Sequence, residues 1–226
     1  MRDIEESKRL HSGAYVKMYE SKPISRLARL IPLMRLQGKE RLADIACGNA
    51  MLLPLIHAKI SHYDGVDFSE DFIVSAKSRA EKHKVTNCSF HCQDIMNFCA
   101  EHPETFDLAT AFDFSEHIED EAFLSIFKAV RDTLIPNGRL LLHTPNLNFF
   151  MERLKDWGIL HQFPEHIAVR NQLQNTRLLQ RCGFAPENIH VRVLPHYNIL
   201  RLTHPLRHIP VFGRLFEARL FIECIK

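Results

Sequence analysis

A chain of 226 residues with 46% hydrophobic and 25% charged side chains has the size and balance of one globular domain with a sizeable core, not of a disordered chain, a collagen-like repeat or a pure coiled coil. No run approaches the roughly 18–20 apolar residues that a membrane-spanning helix needs. The formal charge of +2 predicts no general attraction to nucleic acid or membrane, yet it is unevenly spread: residues 1–169 hold 20 Lys and Arg against 24 Asp and Glu, and residues 170–226 hold 9 against 3.

In chain order, helical stretches are expected at Asp3–Glu20 and Ile24–Leu36, separated by Pro23. Short apolar runs at Arg41–Ala46, Tyr63–Asp67, Cys88–Cys92, Phe106–Ala111 and Arg139–Thr144 read as strands. Between them Ala50–Lys59, Glu70–His83 and Asp120–Leu134 have helical character. Phe123, Ile126, Phe127, Val130 and Leu134 share one face of the last, and Ser69 before Glu70 and Asp71 is an N-cap signal for the second. Further on come an amphipathic stretch at Asn148–Leu160, a helix at Asn171–Cys182 ending at Gly183, and strand-like Ile189–Leu194 and Arg219–Ile225. Alternating strands and helices predict a parallel sheet covered on both faces. A single domain over residues 1–226 is expected, with an N-terminal helical segment (1–37), an insertion (146–168) and a basic insertion (195–216).

The six cysteines (Cys47, Cys88, Cys92, Cys99, Cys182, Cys224) read as reduced core thiols. Cys88, His91 and Cys92 lie on a short strand without a second ligand pair, which argues against structural zinc. The N-terminal Met1-Arg2-Asp3-Ile4-Glu5-Glu6 puts charges where a secretory signal would be apolar, so a cytoplasmic location is expected.

The most informative stretch is Asp44-Ile45-Ala46-Cys47-Gly48-Asn49-Ala50, a strand entering a small-residue turn and then a helix. Such a turn lets backbone N–H groups approach a ligand. Asp67 follows at the end of the next strand, 23 residues after Asp44, where a carboxylate can accept hydrogen bonds from ribose hydroxyls. Neither G-x-G-x-x-G nor a P-loop is present. Alanine at positions 46 and 50 predicts negative φ there, because left-handed backbone is costly for a residue with a Cβ.

At these residues the chain resembles the class I S-adenosylmethionine-dependent methyltransferases, whose first motif D-x-G-x-G is matched by Asp44 to Gly48 with Ala46 in place of the first glycine. Gly65-Val66-Asp67-Phe68-Ser69 resembles the ribose-binding strand end, and Cys92-Gln93-Asp94-Ile95 the acid beside the adenine amino group. Leu134-Ile135-Pro136-Asn137-Gly138 resembles the family's L-x-P-G-G, and Cys182-Gly183-Phe184 its A-G-F. The resemblance implies a doubly wound, Rossmann-like α/β methyltransferase fold, seven-stranded with the last strand antiparallel. It implies S-adenosylmethionine as cofactor, bound by Asp44, Ala46, Cys47, Gly48, Asp67, Phe68, Asp94, Ile95 and Phe112.

Asp113-Phe114-Ser115-Glu116-His117, after the fourth strand, supplies candidate catalytic groups Asp113, Glu116 and His117. With His166, the pattern resembles metal-dependent O-methyltransferases of the ubiquinone-biosynthesis and small-RNA 3′-end types, which implies a divalent ion such as Mg²⁺ on Asp113, Glu116, His117 and His166. His117 as general base without metal and a loop that caps the next helix are the other readings. His143 reads as a satisfied polar residue. Phe149, Phe150, Trp157 and Phe163 form either a substrate lid or core, and Tyr15 and Tyr19 are candidates to close over the cofactor.

The expected reaction is O-methylation of a hydroxyl on a small molecule or glycan. An RNA or lipid-linked acceptor, or a non-catalytic cofactor-binding subunit, is the alternative. In the basic tail Arg192, Arg201, Arg207, Arg214 and Arg219 alternate with apolar residues. That suits a solvated face, a membrane surface or a phosphorylated, anionic substrate and lacks the compact aromatic and basic patch of an RNA binder.

Overall fold

The structure is a computed structural model that describes Val16, Tyr19, residues 23–161 and residues 166–226. Seven strands form one sheet of order β3-β2-β1-β4-β5-β7-β6: β1 Arg41–Ile45, β2 His62–Asp67, β3 Cys88–Cys92, β4 Phe106–Phe112, β5 Leu134–Pro145, β6 Ile189–Leu194 and β7 Arg219–Ile225. The strand order reverses beside β1, so the switch point lies between β1 and β4, where doubly wound sheets bind ligands. β7 runs antiparallel to both β5 and β6. The expected fold class is the one observed.

The chain divides into two compact units, Met1–Thr110 with Asp132–Gly138, and Ala111–Arg131 with Arg139–Lys226. In the first, β1 is buried from Leu42 to Ile45 and pairs in parallel with β2 (Asp44 opposite Gly65) and β4 (Leu42 opposite Leu108). Central strands covered on both faces are continuous apolar runs, which is why this segment reads as a strand without alternation. Gly65 is needed for close approach: a Cβ there would lie 2.9 Å from the Tyr63 ring and 3.0 Å from Cys47 Sγ.

The helices of this unit differ from expectation where local chemistry breaks them. In place of one helix at Ile24–Leu36 there are two single turns, α1 Ser25–Ala28 and α2 Ile31–Met34. The expected Ala50–Lys59 helix is α3 Leu53–Ile56 followed by a 3₁₀ turn, His57–Lys59. Left-handed Ala50 precludes an earlier start, and Pro54 takes its place in the first turn, where its missing N–H costs nothing. Next, α4 Glu70–Lys82 starts as expected, with the Ser69 hydroxyl accepting from Phe72 N at 3.4 Å. An unforeseen helix, α5 Ile95–Glu101, joins β3 to β4 and is capped by Asp94, whose side chain accepts from Met96 N at 2.7 Å. The expected Asp3–Glu20 helix lies outside the described residues except for Val16 and Tyr19, both helical.

The second unit contains most of α6 Asp120–Thr133, then α7 Phe150–Asp156 and α8 Gln172–Arg181. α8 opens on a capping box in which Asn171 and Gln174 satisfy each other's backbone N–H. Phe123, Phe127, Leu178, Leu179, Phe184, Leu220 and Ile222 are buried here. Between β6 and β7 the backbone forms two 3₁₀ segments, Ile199–His208 and Gly213–Phe216.

Candidate active site

The turn after β1 is left-handed at Ala46 (φ 53°), Gly48 (φ 53°) and Ala50 (φ 51°). The negative φ expected at the two alanines is therefore incorrect. The backbone hydrogen bonds explain why the turn holds against this cost: Cys47 N donates to Val66 O at 3.0 Å and Ala50 N to Cys47 O at 2.9 Å, and tertiary contacts over-determine the conformation. Small side chains remain necessary, because Ala50 is completely buried.

Asp67, at the end of β2, accepts from Gly48 N at 3.0 Å through Oδ2 and from Ser69 N at 2.9 Å through Oδ1. It thereby fixes the turn to the strand end. Asp44 is buried and accepts from Tyr63 OH at 2.5 Å and Thr110 Oγ1 at 2.7 Å. Burial pushes its pKa from 3.8 up to about 6, against the lowering effect of those two hydroxyls. Burial, with Asp67 and Asp44 nearby, also pushes the Cys47 thiol well above its usual range, so Cys47 is a packing residue and not a nucleophile. Phe68 is half-buried, Ile95 is buried, and Asp94 is exposed at the start of α5. Of the aromatic candidates for a cover, Tyr19 meets Phe72 edge-on at 5.7 Å, while Tyr15 lies outside the described residues.

In the second unit, the loop following β4 brings together Glu116, His117 and His166, whose ligand atoms all lie within 4.8 Å of one another. The His117 and His166 rings meet edge-on at 5.1 Å. Glu116 is buried, accepts from Thr144 Oγ1 at 3.1 Å, and has its pKa pushed up to about 8 by burial and by the Asp113 charge. Burial, reinforced by His117, Lys155 and Arg219, lowers His166 to about 4. A neutral imidazole keeps the ring lone pair that a metal requires.

Asp113 stands apart from this group. Left-handed at φ 53°, a conformation aspartate tolerates better than most residues, it is engaged by Arg219, His143 and Tyr197 among the described residues. Arg219 Nη2 donates to Oδ1, His143 Nδ1 lies 3.0 Å from the same oxygen, and Tyr197 OH donates at 3.2–3.3 Å. Arg219 Nε also donates to His143 Nε2 at 3.1 Å. That bond fixes the tautomer of this buried imidazole, with the proton on Nδ1 facing Asp113. The Arg219 guanidinium lies 4.6 Å from the Tyr197 ring centre. Arg219 is therefore buried and does not belong to the solvent-facing basic stretch in which its sequence neighbours place it.

Two further residues escape sequence reading. Arg170 is buried and donates to Ser115 O at 2.7 Å, Ile118 O at 2.7 Å and Asp120 Oδ1 at 2.8 Å. It clamps the loop that carries Glu116 and His117 from both sides, and Ala168 N donates to Glu116 O at 3.0 Å, tying in the segment that carries His166. Tyr197 lies 84 residues from Asp113 in sequence. No local pattern announces either residue, although an arginine just before the Asn171 cap is a place to look. In the insertion, Phe149 is buried core and Trp157 is exposed, while Phe163 lies outside the described residues.

A doubly wound sheet of order 3-2-1-4-5-7-6 whose first strand enters a small-residue turn held by the next strand's terminal aspartate is the architecture of class I S-adenosylmethionine-dependent methyltransferases. Residues 36–186 match the family described as Methyltransferase domain, and the chain belongs to that family. Among solved structures, an S-adenosylmethionine-dependent methyltransferase from Archaeoglobus fulgidus superimposes with TM-score 0.69 at 17% identity, over 99% of this chain and 100% of that one. A phosphoethanolamine N-methyltransferase 2 from Haemonchus contortus, in complex with S-adenosyl-L-methionine, gives TM-score 0.64 at 19% identity, over 89% of this chain and 52% of that one. A ubiquinone biosynthesis O-methyltransferase of Coxiella burnetii is 32% identical over 124 residues, 55% of this chain and 51% of that protein. One from Neisseria meningitidis is 25% identical over 138 residues, 61% and 56% respectively. The chain thus spans about half the length of these curated relatives.

Proposed function

We propose that the protein is an S-adenosylmethionine-dependent methyltransferase acting on a hydroxyl of a small molecule or glycan. The observation that carries this reading is the convergence of Glu116 and His117, on the loop after β4, with His166 from the segment ahead of α8. In this reading the cofactor is held by the first unit: the backbone of Ala46, Cys47 and Gly48 lines its approach, and Asp67 accepts from its ribose. Asp44 keeps the turn in shape through Tyr63 and Thr110, and Phe68, Asp94 and Ile95 complete the cofactor contacts of this unit. Methyl transfer breaks the carbon–sulfur bond of the sulfonium, whose electron pair stays on sulfur. It forms a carbon–oxygen bond to the acceptor, and the hydroxyl proton passes to a base. His117, half-buried on the loop, is that base, worth about 10²–10⁴ in rate.

Alternatively the donor set fits a divalent ion, with His117 then a ligand and not the base: one carboxylate and two imidazoles with convergent ligand atoms are a common arrangement for Zn²⁺ and Fe²⁺ and accept Mg²⁺ or Mn²⁺. Glu116, His117 and His166 would hold it. Asp113, occupied by Arg219, His143 and Tyr197, would act outside that ligand set. When bound, such an ion supplies positive charge that acidifies a nearby hydroxyl.

Methyl transfer from labelled S-adenosylmethionine to a panel of phenolic, sugar, lipid-linked and RNA hydroxyl acceptors, with and without chelator, tests the reading. His117→Ala is expected to lower turnover about 10²-fold or more with cofactor affinity unchanged. Unchanged turnover would remove His117 from the mechanism. Cofactor binding with no acceptor methylated would favour a non-catalytic binding subunit.

A further inference from the structure

The segment between β6 and β7 presents its apolar side chains outward. No residue of the 3₁₀ segment Ile199–His208 is buried, although an amphipathic stretch ordinarily turns its apolar stripe toward the core. Ile199, Leu202, Leu206 and Ile209 recur at spacings of three and four and are 71%, 67%, 40% and 43% exposed. They lead into a tip where Val211 and Phe212 are 91% and 61% exposed.

That tip is held in shape. Gly213 N donates to Ile209 O at 2.8 Å, and a Cβ at Gly213 would overlap the carbonyl of Arg207. Val211 has φ 69°, a genuine outlier for a β-branched residue. The turn therefore carries backbone strain and exposes an aliphatic side chain almost completely. At its base the segment is anchored within the second unit: Tyr197 binds Asp113 and His143, His196 stacks on Phe149 at 5.8 Å, and Phe216 meets Phe150 at 6.1 Å. Interspersed in sequence with the apolar residues are Arg201, His208 and Arg214, all exposed, and half-buried Arg207. No acidic residue occurs from 195 to 216. The first, Glu217, is partly buried beside Arg214 and Arg207, and burial raises its pKa.

We propose that residues 195–216 dock the protein on an anionic lipid bilayer, with Ile199, Leu202, Val211 and Phe212 entering the headgroup boundary and Arg201 and Arg214 meeting lipid phosphates. The combination is the one such surfaces take up: protruding aliphatic and aromatic tips, which need no matching pocket, interspersed with cations and free of acids. Among the described residues no helix is long and apolar enough to cross a membrane, so contact is with one leaflet. This inference stands independently of methyl transfer, because vesicle binding is read without turnover.

Cosedimentation tests it, with vesicles of phosphatidylcholine alone and with phosphatidylglycerol added, at low and high salt. The full chain is expected to bind the anionic vesicles, more weakly as salt rises. V211S/F212S should weaken binding at least ten-fold. R201Q/R214Q should cost about five-fold per charge at low salt and flatten the salt dependence. Unchanged melting temperatures confirm that both variants fold. The proposal is overturned by absence of binding, by equal binding of wild type and both variants, or by a concentration-dependent dimer that V211S/F212S dissociates while vesicles bind neither protein. The last outcome would assign the surface to a second copy of the chain.

Discussion

Ala46 and Ala50 carry φ values of 53° and 51°, each at a cost of roughly 1–2 kcal/mol relative to right-handed backbone. Glycine at position 46 removes that cost and adds about 0.4–1 kcal/mol of unfolded-chain entropy. A46G should therefore stabilise the fold by about 0.5–1 kcal/mol in urea denaturation, and a destabilised variant would show that the Ala46 methyl group contributes more packing than its backbone costs. Asp44 makes a second prediction. Its pKa is raised to about 6 from 3.8, so the folded state holds the proton more tightly than the unfolded chain. The carboxyl imposes no penalty below pH ~4, a growing one as pH rises to ~6, and a constant one above, about 3 kcal/mol at 1.36 kcal/mol per unit. The stability difference between D44N and wild type should shift by that amount in favour of D44N between pH 4 and 7; a difference flat with pH would mean that Asp44 titrates normally. The identities of these residues are legible in sequence, because the spacing of Asp44, Gly48 and Asp67 follows from chain connectivity. Their backbone angles are not, since the hydrogen bonds that force Ala46 and Ala50 into left-handed conformations come from residues elsewhere in the turn and from β2.

Among the elements, the loop from Ser115 to Ile118 owes its shape to Arg170, which reaches it across 52–55 residues of sequence. R170A leaves the buried Ser115 carbonyl and the part-buried Ile118 carbonyl without this donor, at about 1–3 kcal/mol each. The ion pair with Asp120 adds little, because Asp120 is 67% exposed. The variant should lose about 3 kcal/mol of stability and also scatter Glu116, His117 and His166. In that case Mn²⁺ binding, followed by isothermal titration at a temperature where the variant remains folded, should fall more steeply than cofactor binding. Equal retention of both would reduce Arg170 to a packing residue. The strands and the helices α4, α6 and α8 follow from periodicity and capping, signals carried by neighbours in sequence. α5 was obscured because Asp94 serves two patterns at once: it occupies the place of an adenine-side acid and is also the N-cap of a seven-residue helix, too short to show a clear apolar stripe. The network of Asp113, His143, Tyr197 and Arg219 was illegible for a different reason. Arg219 faces Pro145 across the β5–β7 ladder, two residues from His143 and so on the same sheet face. That registry appears only when the last strand turns antiparallel and returns beside β5.

At the scale of the whole molecule, a ligand that binds the native chain and not the unfolded one raises stability by RT ln(1 + [L]/Kd), about 2.7 kcal/mol at a hundred times Kd. For a chain of 226 residues, each kcal/mol moves the melting temperature by about 2–4 °C, so saturating S-adenosylmethionine should raise it by about 5–10 °C. The cofactor reading places Asp67 under the ribose and His117 at the acceptor. D67A should therefore lose most of this shift, and H117A should keep it while losing turnover. Asp67 also holds the turn through Gly48 N and Ser69 N, so D67A alone cannot separate a contact to the cofactor from a contact that shapes its site. D67N decides between them. Its amide oxygen can still accept one backbone N–H, while its NH₂ group exchanges acceptor capacity for donors. If ribose hydroxyls donate to Asp67, D67N should approach D67A in lost cofactor shift while retaining more of the wild-type melting temperature without ligand. If Asp67 acts only by shaping the turn, the lost shift and the lost stability should scale together across D67N and D67A.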